Sequence, residues 1–321
     1  GSQGEGGGQV LRSSLSLSLV TGQPVCIENV RAGREKPGLM RQHLTALRAA
    51  AEVGEAEVTG MEIGSRCLTF EPRNIQPGRF EFSIGTAGSA TLVLQTILPA
   101  LMFADGPSEI VLEGGTHNQW APPYDFLESA YFPLLRKMGL QITSGLDRHG
   151  FYPAGGGRFS VGITPTERLV GLELLDRGRV VARAVTALLA NLPRSIGQRE
   201  VDTVAKKLDW PPACFHVREV HPSPGPGNIV MIDVQYERIR ELFIGFGRHG
   251  IRAENVAKEA VKRYRAYAAT DAPVGPYLAD QLLLPLSLQN LQLSLKRLQV
   301  KISNLLHIRS KALVQASFLA T

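Results

Sequence analysis

The chain has 321 residues, 44% of them hydrophobic and 20% charged, which allows one large domain or two smaller ones and excludes disorder as its main state. No run of about 18 apolar residues occurs, so no membrane contact is expected, and the glycine-rich start lacks the apolar segment of a signal peptide. The net charge of +6 is compatible with a polyanionic partner, and the three scattered cysteines fit neither a zinc spacing nor a disulfide framework, so a cytoplasmic location is expected.

Gln9–Leu19 reads as a strand by alternation or as a helix by spacing; the glycines before it favour the helix. A strand is predicted over Val25–Arg31, then a helix over Pro37–Val53 with Leu39, His43, Leu44, Leu47 and Ala50 on one face and Gly54 as C-cap. Short strands are expected at Val58–Ile63, Arg66–Phe70 and Phe80–Ile84. Ser89–Phe103 is an apolar helix kinked or interrupted at Pro99. A strand (Ser108–Glu113), a helix (Pro123–Met138) and two strands (Gln141–Leu146, Arg158–Thr164) follow. The order helix, strand, helix, strands thus recurs about twice, which points to an α/β layered fold. The stretch from Leu172 to Leu189 changes character, with strand-like RVVARAVTALLA. A helix (Arg194–Leu208), two strands (Asn228–Gln235, Leu242–Gly247) and a helix (Glu254–Tyr267) come next. Residues 176–267 are therefore expected to form an inserted smaller α/β domain, with 1–175 and 268–321 making the larger one. From Gln281 onward there is no Asp, Glu or Gly; apolar positions alternate from Leu286 to Ile302, and the end is weakly helical.

Several segments carry chemistry. Gly4 and Gly6 to Gly8 stand before the first helix among Gln3, Glu5, Gln9 and Arg12. Glycine lets backbone approach a phosphate, and a free helix start attracts anions; Glu5 offers a carboxylate for a metal or a ribose hydroxyl. A plain glycine-rich turn is the alternative. RAGREKPGLMRQH gathers Arg31, Arg34, Lys36, Arg41 and His43 around Pro37 and Gly38, either a phosphate clamp or a solvated basic loop. GTAGSATLVLQ brings small donors to a helix start and sets Gln95, a polar group, on an apolar face, where it must find a partner or a ligand. GGTHNQWAPP places His117, Asn118 and Trp120 on a loop where a base could stack. YLADQ sets Asp280 and Gln281 beside an apolar run. GxxxxGK[ST], HExxH and GxSxG are all absent, which disfavours the common P-loop nucleotide-binding and hydrolase classes.

Taken together, GSQGEGGGQVLRSSLSLSLVTGQP, RAGREKPGLMRQHLTAL, GTAGSATLVLQTILPAL, HGFYPAGGG and VGPYLADQLLLP resemble the RNA 3′-terminal phosphate cyclases of bacterial type, from Gly1 to about Pro285. The resemblance implies repeated βαβαββ units, as in the cyclase and enolpyruvate transferase-like fold, with a smaller inserted α/β domain. It implies a cytoplasmic enzyme acting on RNA with a 3′-phosphate end, using ATP and a divalent metal (Mg or Mn), in which a histidine accepts AMP and passes it to the 3′-phosphate before the 2′-OH closes the ring. By family position, Gln95, Tyr277, Leu278, Ala279, Asp280 and Gln281 would contact ATP, with Glu5 and Arg12 near the same pocket and Glu5 at the metal. Arg31, Arg34 and His43 would meet phosphates. Two departures stand out. The family's nucleophilic histidine follows YLADQ in a His-Pro-Ser-Cys-His-like context; here that stretch reads SLQNLQLSLKRLQVKISNLL. The catalytic residue stays unassigned, His307 being the candidate the tail offers. The family also carries an apolar strand ahead of this start, so a trimmed chain is expected. A cyclase-like RNA-binding or ribosome-assembly protein without catalysis is the alternative; an enolpyruvate-type transferase would need a pattern of substrate-binding lysines and arginines that the sequence does not show.

Overall fold

The computed structural model describes residues 7–166 and 168–291. They form a mixed α/β architecture of three sheets with helices packed on them. The first unit runs α1 (Gly8–Thr21), β1 (Val25–Glu28), α2 (Arg41–Val53), β2 (Glu57–Thr59), β3 (Cys67–Glu71), and its strands make an antiparallel sheet in the order β1-β3-β2. The second runs β4 (Arg79–Ser83), α3 (Ala90–Leu101), β5 (Ser108–Gly114), α4 (Tyr124–Phe126), a π-helical turn (Leu127–Tyr131), α5 (Phe132–Lys137), β6 (Gln141–Arg148), β7 (Gly157–Thr164). Its sheet order is β4-β5-β7-β6, with β4 parallel to β5 and the other pairs antiparallel. The order β1-β3-β2 repeats β5-β7-β6, so the recurrence expected from the sequence is architectural fact. The third block, β8 (Val180–Ala190), α6 (Arg194–Leu208), a 3-10 turn (Pro212–Cys214), β9 (Phe215–Glu219), β10 (Gly227–Tyr236), β11 (Arg240–Phe246) and α7 (Ala253–Ala268), has its own sheet, β11-β10-β8-β9, against which α6 and α7 pack. α8 (Pro276–Leu291) closes the described chain.

Boundaries move where backbone chemistry requires it. β1 stops at Glu28 rather than Arg31, because Asn29 (φ 54) and Arg31 (φ 55) are left-handed. α2 begins at Arg41 rather than Pro37: Gly38 has φ 87, and a Cβ there would sit 2.3 Å from the Gly64 carbonyl oxygen. β2 ends at Thr59 because the chain turns at Gly60. β9 went unread, its charged FHVRE lying between prolines with no buried position.

Pro99 does not end α3. A proline inside a helix leaves the carbonyl four residues back without its usual donor. Here that carbonyl is Gln95 O, and the Ser16 hydroxyl of α1 lies 3.4 Å from it while donating to Thr96 O at 2.6 Å. α1 buries Leu11, Leu15 and Leu19, a stripe at the helical period, and packs with α2 and α3. The alternation expected from Leu286 is overturned as far as Leu291. Leu278, Gln281, Leu282, Pro285 and Leu288 are the buried positions of α8, spaced for one helix face. The Gly275 N–H, just ahead of α8, donates to the carboxylate of Glu241 in β11 at 2.5 Å, which ties the third sheet to this helix.

Candidate functional site

α1, α3 and α8, distant in sequence, bring polar side chains to one cleft. Gln9, Arg12, Ser13 and Ser16 from α1, Gln95 from α3, Tyr131, and Asp280 and Gln281 from α8 line it. Positions 9, 12, 13 and 16 share one helical face, so α1 is apolar on one side and polar on the other. The side chains form a relay. Arg12 donates through Nη2 to Gln9 Oε1 (2.6 Å) and through Nε to Gln95 Oε1 (3.2 Å). Gln95 Nε2 donates to Gln281 Oε1 (3.1 Å), and Gln281 Nε2 to Asp280 Oδ2 (3.2 Å). Gln95 thereby has the partners that an amide on an apolar face requires. Arg12 is 8% exposed, and burial pulls its pKa down to about 10, with Asp280 pulling the other way; it stays cationic at neutral pH.

The second half of the site lies at the start of α1. Its N-cap is Gly7, which has no side chain to cap it, so among the described residues the first-turn N–H groups and the positive end of the helix dipole are left for an anion. Arg34 and His43 converge there: a Cβ on Gly7 would lie 3.0 Å from Arg34 Nη2, and one on Gly8 would lie 2.4 Å from His43 Nε2 and 2.9 Å from Arg12 Nη1. Only glycine leaves this approach open. His43 is not one of the cations. Burial, then the fields of Arg31, Arg12 and Arg34, hold its pKa at about 3, so it presents a neutral ring, and its buried Nδ1 has no partner among the described residues. Arg31 donates through Nη1 to the carbonyls of Lys36 and Gly38 (2.8 Å each), and so shapes the arginine loop as well as charging it.

The remaining expected residues divide. Leu278 is fully buried core, Tyr277 is 54% exposed with Arg263 over its ring at 5.4 Å, and Ala279 is partly buried; none of the three lines the cleft. Glu5 and His307 lie outside the described residues. The loop read as a stacking platform is corrected in part. His117 and Asn118 are buried: His117 Nε2 is 2.6 Å from Asp125 Oδ2, its Nδ1 is 2.7 Å from Thr116 Oγ1, and Asn118 Nδ2 donates to Ala87 O. They brace the glycine turns, while Trp120 is 85% exposed. HGFYPAGGG is also a brace, since Gly155 (φ 67) lies so close to Ala87 that a Cβ would be 2.7 Å from its Cα.

Ser13, Ser16 and Tyr131 were not anticipated. The polar spacing on α1 carried the signal for the serines. Tyr131 looks like core, and its burial pushes its hydroxyl pKa up. Gln42 was missed as well: its Oε1 accepts the Ser89 N–H at 2.7 Å, which locks the turn that starts α3 onto α2.

Comparison with known proteins settles the lineage. Residues 3–318 match the family described as RNA 3′-terminal phosphate cyclase. The chain belongs to the RNA 3′-terminal phosphate cyclase family. It is 56% identical over 288 residues to the RNA 3′-terminal phosphate cyclase of Koribacter versatilis (strain Ellin345), covering 90% of this chain and 81% of the relative. It is 50% identical over 289 residues to that of Ralstonia nicotianae (strain ATCC BAA-1114 / GMI1000), covering 90% of this chain and 83% of the relative. The cyclase family is a family of enzymes, and its match extends beyond Pro285 into the tail. Among the described residues no helix is long and apolar enough to cross a membrane.

Proposed function

We propose that this chain is an ATP-dependent RNA 3′-terminal phosphate cyclase that converts a 3′-phosphate to a 2′,3′-cyclic phosphate through protein–AMP and RNA-adenylate intermediates. A phosphate monoester is a poor electrophile; adenylylation gives it a good leaving group for the neighbouring 2′-OH to displace. The observation that carries this reading is the polar relay from Gln9 to Asp280 meeting the glycine N-cap of α1 beside Arg12, Arg34 and His43. A buried guanidinium with fixed partners, open backbone N–H groups and a neutral imidazole together suit a phosphate chain. Arg12 Nη1 faces that helix start, Arg31 and Arg34 add charge, and the relay amides offer donors and acceptors to the nucleotide.

The described lining holds one carboxylate, Asp280, and no group of three His, Cys, Asp or Glu among the described residues is arranged to hold a metal. The divalent metal, Mg or Mn, that the resemblance implies would have Glu5, which lies outside the described residues, as its protein ligand. The division into a 176–267 insert and a larger remainder, the cytoplasmic setting, and His307 as candidate nucleophile are parts of the same proposal.

Labelled ATP tests it. The chain should yield an acid-labile protein–AMP adduct, and an RNA oligonucleotide with a 3′-phosphate should become phosphatase-resistant. ATP binding with neither product rejects catalysis, and a His307→Ala chain that still forms the adduct removes that residue from the reaction.

A further inference from the structure

Cys26 lies on β1 and Cys67 on β3, both on the solvent face opposite the buried Ile27, Leu68 and Phe70. The register pairs Cys26 with Thr69 and Glu28 with Cys67, so the cysteines are diagonal neighbours across one strand pair. Desolvation, then the neighbouring Cys67, push the Cys26 thiol pKa up. β1 is a four-residue strand whose one partner among the described residues is β3. The pair also stands at the root of the arginine loop. Val30 N–H donates to Arg66 O (3.0 Å), Leu39 N–H to Ser65 O (3.0 Å), and Gly64 N–H to Leu39 O (2.7 Å), so the segment just before Cys67 holds both ends of the loop that carries Arg31 and Arg34.

We infer that Cys26 and Cys67 form a reversible dithiol–disulfide couple, oxidised by hydrogen peroxide, that clasps the root of the arginine loop. One thiolate attacks a peroxide oxygen; the O–O bond breaks, and the departing hydroxide takes up the thiol proton as water. The second thiolate attacks the resulting sulfenic sulfur; the S–S bond forms, the S–O bond breaks, and the second hydroxide leaves as water with the remaining thiol proton. Two thiols lose two electrons and one peroxide becomes two waters. Diagonal neighbours stand about 7–8 Å apart at Cα, beyond the roughly 4.4–6.8 Å that a disulfide spans, so closure requires β1 to slide along β3 and bring Cys26 towards Cys67. A short edge strand can make that shift without breaking a second pairing.

The test uses the full reduced chain treated with peroxide and digested without reductant. A Cys26–Cys67 cross-linked peptide, lighter by two hydrogens and cleaved by dithiothreitol, is expected. It should vanish in Cys26→Ser and Cys67→Ser and persist in Cys214→Ser. Sulfinic acid on either thiol without the cross-link, or a cross-link through Cys214 or between molecules, overturns the couple. Amide exchange in residues 29–39 should slow on the order of tenfold on oxidation, and not in Cys26→Ser; unchanged exchange overturns the clasp.

Discussion

At the scale of single residues, Arg12 is the cation with the most defined role, since both its carbonyl partners are themselves held in place. Arg12→Ala should weaken ATP binding by roughly 10- to 100-fold, the worth of about 1.5–3 kcal/mol for a hydrogen bond to a charged group. Calorimetric titration would measure it. Arg12→Lys should recover little of that loss, because a lysine cannot keep the forked contacts to Gln9 and Gln95. Gln95 was legible because a polar side chain inside an apolar pattern demands a partner, whereas Arg12, Asp280 and Gln281 were legible through the motifs that carry the family resemblance. Tyr131 was not, because an aromatic on a helix face reads as core whether or not a cleft opens beside it. His43 was readable as part of a basic cluster, but its neutral state was not, since that depends on burial and on three arginines brought near by folding.

Among the elements, helices were the most readable. Arg194–Leu208 matches its predicted bounds, and α1, α2, α3 and α7 differ only at their ends. Their periods extend over several turns, whereas strands of three to five residues leave little pattern to read. Turn geometry was the weak point: nothing local announces that Asn29 and Arg31 are left-handed, yet those two residues end β1 and send the arginine loop towards α1. The glycine start of α1 makes its own prediction. Gly8→Ala would push a Cβ into His43 Nε2, so either the helix start or the ring must move. Nucleotide affinity should fall about tenfold, by disturbing charge-assisted phosphate contacts, with the melting temperature little changed. Gly22→Ala is the contrast. Gly22 ends α1 at φ 66 with open space around it, so the substitution should cost about 1 kcal/mol in chemical denaturation and leave ATP binding as it was.

For the whole molecule, buried titratable groups set a pH window. Glu200 and Glu241 are almost fully buried, and desolvation raises each pKa from 4.5 to about 7. Both are protonated more readily folded than unfolded, so the stability they contribute is complete below pH 4.5 and is lost as pH rises through 7. Burial lowers His43 to about 3 and His149 to about 4, from 6.5. These favour the fold above pH 6.5 and cost stability as pH falls towards 3. The slopes oppose each other between about 4.5 and 6.5, so urea denaturation should show a plateau there with a decline on either side. Glu200→Gln should flatten the alkaline side, since Asn228 Nδ2 already donates to Glu200 Oε1 and an amide keeps that acceptor. An unchanged alkaline slope would rule Glu200 out as its source.

The bond from Gly275 to Glu241 reaches further than stability. It gives α8 a footing in a sheet that supplies none of the cleft's lining, while the same helix, one turn on, carries Asp280 and Gln281 to the relay. Damage at Glu241 would then register as a fault in handling nucleotide while the chain still melts as one cooperative body. A survey of substitutions scored only by thermal stability would pass over it.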